Sequence, residues 1–376
     1  MARVMFVDDE PQILNGLRRM LRKERSDWST EYVTSGREAL ARMEDEPVDV
    51  LVTDMRMPEM SGLELLAAVK ERHPETVRLV LSGHADQEMT LKAVGLAHQY
   101  LSKPCDPEVL RTAVRRSVRL RSQLADSDLK RAVSGMGALP TLPSLYSRVI
   151  AALRNPERTL GDVGEIISED IGLTAKILQV VNSSFFGLPR EVLTAQEAAA
   201  LLGADVVTSL VLGAELFDGP PSQMVALECL WQGAVTTAST AKEIARRFGL
   251  DHRAVEHTYS AGMLHHVGKL VLLRRHPQLL SSSADDEILA IGTHHGLLGA
   301  YLLDVWGFPD PVVEAVGFHD RPRESPTRNL GPLAAVHVAI SIHEQDCHLF
   351  EPDREYLAEL GIDLADFADL MEGADA

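Results

Sequence analysis

The segment DVLVTDMRMP, at residues 49–58, decides the fold of the first third of the chain. Its apolar, β-branched part, Asp49–Thr53, predicts a strand that is buried on both faces. Such strands are typical of parallel sheets, in which helices cover both sides. We therefore expect an α/β domain in which Asp54 stands at the carboxyl end of a central strand.

Short apolar runs and amphipathic windows alternate on both sides of this segment, from residue 1 to about residue 105. Strands are predicted over Val4–Val7, Glu31–Thr34, Asp49–Thr53, Val77–Leu81 and Gln99–Leu101. Helices are predicted over Pro11–Lys23, Arg37–Met43, Leu63–Arg72 and Gln87–Val94. This order indicates a doubly wound, five-stranded parallel sheet of the flavodoxin-like kind, whose ligands lie beyond the carboxyl ends of the strands.

The rest of the chain has a different pattern. One long helix is predicted from Pro107 to about Val133, and from residue 139 onward helical periodicity dominates, which predicts an all-α domain. The expected divisions are residues 1–122, a helical linker at 123–138, the all-α domain at 139–345 and an acidic C-terminal helix or tail at 346–376. The linker fits a solvated connector and a dimerising coiled coil equally well, and the last segment fits a docked helix or a loosely held tail.

Composition limits the classes of function. The 376 residues carry a net charge of −18, which disfavours binding to a phosphate backbone, and DNA is not an expected partner. The three cysteines are far apart, as in a reduced cytoplasmic protein. Acidic residues interrupt the early apolar run and no segment is apolar enough to span a membrane, so neither a secretory signal nor a membrane association is expected.

Five side chains are expected at one edge of the predicted sheet. They follow four of the strands: Asp8, Asp9, Asp54, Ser82 and Lys103. Clustered carboxylates need a cation, and oxygen ligands suit Mg²⁺. A carboxylate beside that ion can act as a nucleophile toward phosphorus, while a hydroxyl and an ammonium bind the transferred oxygens.

This edge resembles the receiver domain of two-component response regulators. The motifs that carry the resemblance are VDDE at 7–10, VTDMRMP at 52–58, LSG at 81–83 and YLSKP at 100–104. It implies that Asp54 is phosphorylated and that Ser82 and Lys103 contact the phosphoryl group. It also implies that Tyr100 is a rotating switch residue and that the Lys103–Pro104 bond is cis. The implied magnesium ligands are Asp9, Asp54 and the backbone carbonyl of Arg56, with Asp8 acting through water.

Residues 139–345 resemble the HDOD domain, an all-helical signalling module related to the HD phosphohydrolases. The motifs are LPTLP at 139–143, ISED at 167–170, LTAKIL at 173–178, LLG at 201–203, AGMLHHVGK at 261–269 and WGFP at 306–309. The His-Asp pair of the HD enzymes is His265-His266 here, and the Gly-Tyr-Pro loop of the HD-GYP branch is missing after His319. Loss of a ligand carboxylate changes the charge and geometry of a metal site. We therefore expect a non-catalytic domain without a metal.

A remnant of the HD site is nonetheless expected. Its candidate residues are His265, His266, His295, His319 and Asp320, and His294 stands beside them in the sequence. An atypical metal-dependent phosphodiesterase and a cyclic-nucleotide binding module are the two alternatives to a protein-interaction domain. The two resemblances together imply a sensor histidine kinase and an unidentified downstream protein as partners. A homodimer through the receiver face or the linker helix is a further expectation.

Overall fold

The computed structural model describes residues 2–22, 28–83, 93, 95–123, 133, 139–183, 190–212, 214–216, 220–343 and 350–370. The chain divides into two compact units. The first consists of residues 1–137 with 179–191 and 305–307, and the second contains the remainder.

The first unit contains a five-stranded parallel sheet. Its strands are β1 (Ala2–Val7), β2 (Trp28–Val33), β3 (Val50–Asp54), β4 (Val77–Ser82) and β5 (Gln99–Ser102), in the order β2-β1-β3-β4-β5. The register pairs Asp54 with Leu81 and Ser82 with Ser102, so the carboxyl ends of the strands lie along one edge. Every residue of β3 and β4 is buried, as their apolar composition requires. The doubly wound parallel fold is confirmed.

Four helices are described around this sheet: α1 (Pro11–Met20), α2 (Gly36–Asp45), α3 (Gly62–Arg72) and α4 (Pro107–Gln123). Helix α3 begins with a reciprocal capping box, in which the Ser61 hydroxyl accepts from the Glu64 backbone and the Glu64 carboxylate accepts from the Ser61 backbone. The predicted helix over Gln87–Val94 lies outside the described residues except for residue 93, and so does the predicted extension of α4 over residues 124–132.

Two predicted boundaries in this unit are wrong. Strand β2 runs from Trp28 to Val33, three residues ahead of the predicted Glu31–Thr34. It is an edge strand with partly exposed residues between buried ends, so its apolar pattern is too sparse to set its start. Helix α1 ends at Met20 rather than at Lys23, after two consecutive arginines in its last turn.

The second unit is mostly helical. Its α-helices are α5 (Pro143–Arg154), α6 (Leu160–Ile167), α7 (Ile171–Val181), α8 (Ala195–Leu202), α9 (Ala204–Leu212), α10 (Pro221–Arg247), α11 (His252–Leu264), α12 (Val267–Arg275), α13 (Ala284–Ile291), α14 (His295–Val305), α15 (Asp310–Phe318), α16 (Pro332–His343) and α17 (Arg354–Glu359). The last residues of α7 and α14 belong to the first compact unit. Short 3₁₀ helices cover Pro277–Leu279, Pro322–Glu324 and Leu364–Leu370.

One small feature departs from the all-helical prediction. Pro140–Thr141 and Glu215–Leu216 form two short parallel strands, β6 and β7. Prolines at 140 and 143 keep this stretch out of a helix, which leaves its backbone available for pairing. No single helix among the described residues is long and apolar enough to cross a membrane. Two bent helix pairs reach the length and apolar composition of a membrane span only when the two helices of each pair are counted together.

The described part of the C-terminal segment is docked. Tyr356 and Leu357 of α17 and Phe367 of the last 3₁₀ helix are buried. The Phe367 ring meets Phe248 edge-on, with ring centroids 5.9 Å apart, and Arg247 donates two hydrogen bonds to the Asp369 carboxylate. Of the two alternatives left open by the sequence, residues 350–370 therefore follow the docked one.

Candidate functional site

The parallel sheet brings the predicted acidic and polar residues to one edge. Asp8 follows β1, Asp54 and Ser82 end β3 and β4, and Lys103 follows β5. Asp8 and Asp54 are 1% and 7% exposed, so neither carboxylate is well hydrated. Asp9 is half-buried beside Asp8. Buried carboxylates require compensation by hydrogen bonds or by a cation.

Lys103 supplies a cation to this edge. Its Nζ donates to Asp8 Oδ2 at 2.7 Å and to Asp54 Oδ1 in a short hydrogen bond. Burial by itself lowers the pKa of Lys103, but the hydrogen bonds to the two carboxylates outweigh burial and raise that pKa. The Lys103 backbone donates to the Ser82 carbonyl at 2.7 Å, and the Lys103–Pro104 bond is cis as expected. One ammonium therefore links both carboxylates while its backbone ties β5 to the end of β4.

The loop after β3 fixes the second oxygen of Asp54. The Arg56 backbone donates to Asp54 Oδ2 at 2.8 Å, and the Arg56 side chain is exposed. The loop returns so closely that a Cβ on Gly62 would lie 2.0 Å from the Asp54 carbonyl oxygen. Only glycine fits this approach, because a methyl group would displace the backbone that carries Asp54.

The donor set at this edge suits a hard divalent cation. The carboxylates of Asp8, Asp9 and Asp54 and the Arg56 carbonyl supply only oxygen, which is the set that Mg²⁺ prefers. Lys103 already neutralises part of this charge at the two buried carboxylates. The residues present therefore fit magnesium.

Tyr100 lies inside the first unit. Its ring is 2% exposed and packs with Met55, Leu66 and Val80, and its hydroxyl donates to the Ala93 carbonyl at 2.6 Å. Burial raises the pKa of this phenol, so it stays protonated. The aromatic side chain predicted as a switch is thus buried, with its hydroxyl hydrogen-bonded to the Ala93 carbonyl.

A second cluster lies in the helical unit. The turns between helices bring together the five predicted remnant residues, His265, His266, His295, His319 and Asp320. The rings of His265 and His266 have centroids 3.8 Å apart, and His319 lies 5.3 Å from His265 and 5.1 Å from His295. Each of the four histidines stands at the end of a helix.

Burial keeps these rings neutral. It lowers the pKa of His265 to about 3, and the pKa values of His266 and His295 lie well below the usual one for the same reason. Repulsion among the neighbouring imidazoles acts in the same direction. Burial would raise the pKa of Asp320, but attraction to His319 and His295 dominates and lowers it. His265, His266 and His295 are therefore neutral imidazoles, and the Asp320 carboxylate beside them is ionised.

Two residues of this cluster had no role in the sequence analysis. Glu287, fully buried on α13, accepts from His295 Nδ1 at 2.9 Å and from the His295 backbone at 2.6 Å. Lys269 donates to Glu287 at 2.5 Å. Lys269 stands in the AGMLHHVGK motif, which offered a signal, whereas nothing around Glu287 in the sequence marks it as a partner of a histidine eight residues away.

Both halves of the chain match known families. A family profile described as "Response regulator receiver domain" matches residues 4–115, and one described as "HDOD domain" matches residues 139–322. The hydrogenase transcriptional regulatory protein HoxA of Cupriavidus necator is 39% identical over 127 residues, which is 33% of this chain and 26% of HoxA. The response regulator protein PilR of Pseudomonas aeruginosa is 36% identical over 126 residues, 33% of this chain and 28% of PilR.

Further similar proteins differ in how much of the chain they span. An uncharacterized protein of Treponema pallidum is 27% identical over 229 residues, 57% of this chain and 44% of that protein. The chain thus covers less than half the length of each of these three relatives. The crystal structure of the MmoQ response regulator from Methylococcus capsulatus covers 62% of this chain and 98% of its own, at 22% identity and a TM-score of 0.49. A structure from Neptuniibacter caesariensis covers 32% of this chain and 93% of its own, at 35% identity and a TM-score of 0.31.

Proposed function

The chain belongs to the response regulators, with a receiver domain followed by an HDOD domain, and we propose that phosphorylation of Asp54 controls a non-catalytic HDOD domain. The observation that carries the proposal is the position of Lys103, whose ammonium contacts Asp54 and Asp8 at the carboxyl edge of the sheet. A cation in that position can hold phosphoryl oxygens once Asp54 is modified.

The proposed reaction begins with a sensor histidine kinase that carries a phosphohistidine. An Asp54 carboxylate oxygen attacks phosphorus, so that a P–O bond forms, the P–N bond breaks and the released imidazole takes up a proton. Lys103 and Ser82 bind the transferred oxygens. Magnesium, held by Asp9, Asp54 and the Arg56 carbonyl with Asp8 through water, would neutralise negative charge on the phosphoryl group.

Phosphorylation changes the hydrogen bonds at this edge. One carboxylate oxygen of Asp54 becomes the bridging oxygen of an acyl phosphate, and a phosphoryl group with between about −1.5 and −2 charges takes the place of the single carboxylate charge. Lys103 is then drawn toward the phosphoryl oxygens, and Tyr100 exchanges its bond to Ala93 for a second inward position. Such a shift acts on the output only if the receiver surface has different partners in the two states.

The output is proposed to be a protein-binding surface of the HDOD domain. The pair His265-His266 replaces the His-Asp pair of the HD enzymes, which argues against hydrolysis. A downstream protein is the proposed partner, together with a second copy of the chain that pairs through the receiver face or the linker helix. The net charge of −18 argues against DNA, and we propose a cytoplasmic location without membrane association.

Beryllofluoride, a mimic of the aspartyl phosphate, tests the proposal. In the presence of Mg²⁺ it should change the hydrogen-exchange pattern of the full chain, because it binds the carboxylate of Asp54. Asp54→Asn should abolish this change, whereas Asp45→Asn, an exposed residue on α2, should leave it intact. A full response in Asp54→Asn would overturn the proposal.

A second candidate function is metal-dependent phosphodiester hydrolysis by the HDOD domain. It is favoured by one observation, the convergence of His295, His319 and Asp320 beside a polar cleft of about 940 Å³. Incubation of the full chain with a cyclic dinucleotide and Mn²⁺ or Zn²⁺ decides between the functions. Turnover that is lost in His295→Gln would establish hydrolysis, binding without turnover would indicate a nucleotide-binding module, and neither is expected for a protein-binding output.

A further inference from the structure

The hydrogen bonds of three buried histidines fix the way their rings present nitrogen. The Nδ1 atoms of His265 and His319 lie 2.6 and 2.8 Å from the carbonyls of Gly262 and Val316. The Nδ1 atom of His295 lies 2.9 Å from a Glu287 carboxylate oxygen. Carbonyl and carboxylate oxygens only accept, so each Nδ1 must carry the proton. Nε2 is therefore the ring nitrogen that each histidine can offer as a lone pair.

Two of these lone pairs face each other and a carboxylate. His295 Nε2 lies 3.2 Å from His319 Nε2, and Asp320 oxygens lie 3.1 Å from the first and 3.3 Å from the second. The two nitrogens and both carboxylate oxygens are acceptors, and one hydrogen placed between them cannot satisfy them all. In the described part of the chain, His265 Nε2 and both ring nitrogens of His294 have no hydrogen-bond partner. Buried polar atoms without a partner are costly, and each needs an explanation.

A shared proton does not resolve this arrangement. It would place an imidazolium in a site where His295 is 5% exposed and His319 1% exposed. It would also leave both ring nitrogens of His294 without a partner. A cation that accepts several lone pairs at once can satisfy His295, His319, Asp320 and one nitrogen of His294.

We propose that His295, His319 and Asp320 bind a divalent transition-metal cation through His295 Nε2, His319 Nε2 and a carboxylate oxygen. A tetrahedral zinc ion with ligands at about 2.0–2.1 Å separates neighbouring ligand atoms by about 3.3 Å, which agrees with the observed spacing. Imidazole with carboxylate is a donor set typical of Zn²⁺ and Fe²⁺ rather than of Mg²⁺ or Ca²⁺. This site is independent of phosphorylation at Asp54.

His294 is the fourth ligand. One of its ring nitrogens lies within 4.8 Å of the ligand atoms of His295 and Asp320, and its ring is 1% exposed. Because both of its nitrogens are without a described partner, rotation toward the ion costs no hydrogen bond. His265 and His266 then form the adjoining wall of the site rather than its first ligands.

Glu287 positions the site. One carboxylate binds both the Nδ1 and the backbone nitrogen of His295, and Lys269 neutralises it from the other side. Histidine ligands commonly donate their second nitrogen to such an orienting carboxylate, which fixes the tautomer and makes the ligand more basic. The fully buried Glu287 therefore holds the His295 ring in one position and one tautomer.

The ion has a path to solvent. Asp320 lines the polar cleft of about 940 Å³, together with Arg321, Arg323 and Arg354. The arginines are paired in part with acidic neighbours, among them Asp285 and Asp353. The cleft lets a hydrated cation reach the buried histidines from the Asp320 side.

Cobalt titration of the full, tag-free chain after removal of metal with a chelator tests the proposal. We expect one Co²⁺ per chain, a visible absorption band of tetrahedral nitrogen and oxygen ligation, and displacement of the band by Zn²⁺. The receiver offers only oxygen ligands, so Asp54→Asn should leave the band unchanged. Failure of the wild-type chain to develop the band with equimolar Co²⁺ would overturn the site.

Variants separate ligands from the positioning residue. His295→Gln should lose the band, and Glu287→Gln should keep it with affinity reduced about 10- to 100-fold. His343→Gln is the control, because this half-buried histidine bonds Thr240 outside the cluster and should leave affinity unchanged. Far-UV circular dichroism checks each variant's folding, and if His295→Gln is unfolded, Glu287→Gln takes its place as the test. Unaltered affinity in a folded His295→Gln or Glu287→Gln would contradict the assignment.

Discussion

The receiver edge and the helical unit bury hydrogen-bond acceptors in different ways. At the receiver edge, Asp8 and Asp54 share the ammonium of Lys103. In the helical unit, the acceptors of His295, His319 and Asp320 converge, and the described residues place no donor among them. The first site carries its own cation, whereas the proposed metal site requires a cation from outside the chain.

Asp170 sharpens this comparison, because it is a buried carboxylate of the helical unit without a lysine or arginine among its described hydrogen bonds. Its Oδ1 accepts from the Leu173 backbone at 2.7 Å, and burial raises its pKa to about 7. Between pH 3.8 and about 7 the folded chain holds a proton that the unfolded chain has released, so stability falls as pH rises through this window.

Asp170→Asn should therefore stabilise the chain at pH 8 by up to about 4 kcal/mol and have little effect near pH 4.5. Urea unfolding at the two pH values measures the difference. Asp162→Asn is the control, since this half-buried residue of a capping box has a lowered pKa and its replacement should change stability by the same amount at both pH values. An equal effect of Asp170→Asn at both pH values would show that burial of charge is not its cause.

Lys103→Met makes the receiver edge resemble the helical cluster, because it leaves two buried carboxylates without their cation. Removing one partner of a buried ion pair should cost about 3 kcal/mol, and Mg²⁺ should restore part of it. Hydrogen exchange of the β3 amides with and without Mg²⁺ measures both effects. Arg72→Met, which breaks an exposed pair with Glu44, should cost less than about 1 kcal/mol. Protection of β3 equal to that of the native chain would contradict the role of Lys103.

Both sites depend on a glycine that allows backbones to approach. A Cβ on Gly62 would meet the Asp54 carbonyl at 2.0 Å, and one on Gly268 would meet the His295 carbonyl at 1.8 Å. Gly62→Ala and Gly268→Ala should each destabilise their unit by about 1–3 kcal/mol. Gly62→Ala should also slow phosphorylation without changing metal binding. Gly268→Ala should weaken metal binding without changing phosphorylation. Thermal unfolding with the two binding assays checks this, and loss of both functions in either variant would refute separate sites.

Gly16 gives the smallest expected effect and the matched control. It lies inside α1, where an added Cβ would meet nothing within 4 Å. Gly16→Ala should therefore stabilise the chain by about 0.5–1 kcal/mol, because alanine loses less backbone entropy in a helix. Urea unfolding measures it, and a destabilised variant would mean that the surroundings of α1 are not open.

The two sites also differ in how far sequence predicts them. Asp54, Ser82 and Lys103 could be placed together because parallel strands end at one edge, so position along a strand fixes position in space. The start of β2 could not be predicted, because β2 is an edge strand and few of its residues are apolar and buried. His295 and Asp320 could be named from the resemblance to the HD enzymes, but Glu287 meets His295 only through the packing of α13 against the start of α14. Helix packing of this kind has no local sequence signal.

The central claim is that Asp54 accepts the phosphoryl group. Phosphorylation of the full chain with acetyl phosphate and Mg²⁺, followed by borohydride reduction and peptide mass spectrometry, locates the modified residue directly, because reduction converts an aspartyl phosphate to homoserine. We expect homoserine at position 54 alone. Homoserine at another aspartate, or an unmodified Asp54 in a chain that has incorporated phosphate, would contradict the account.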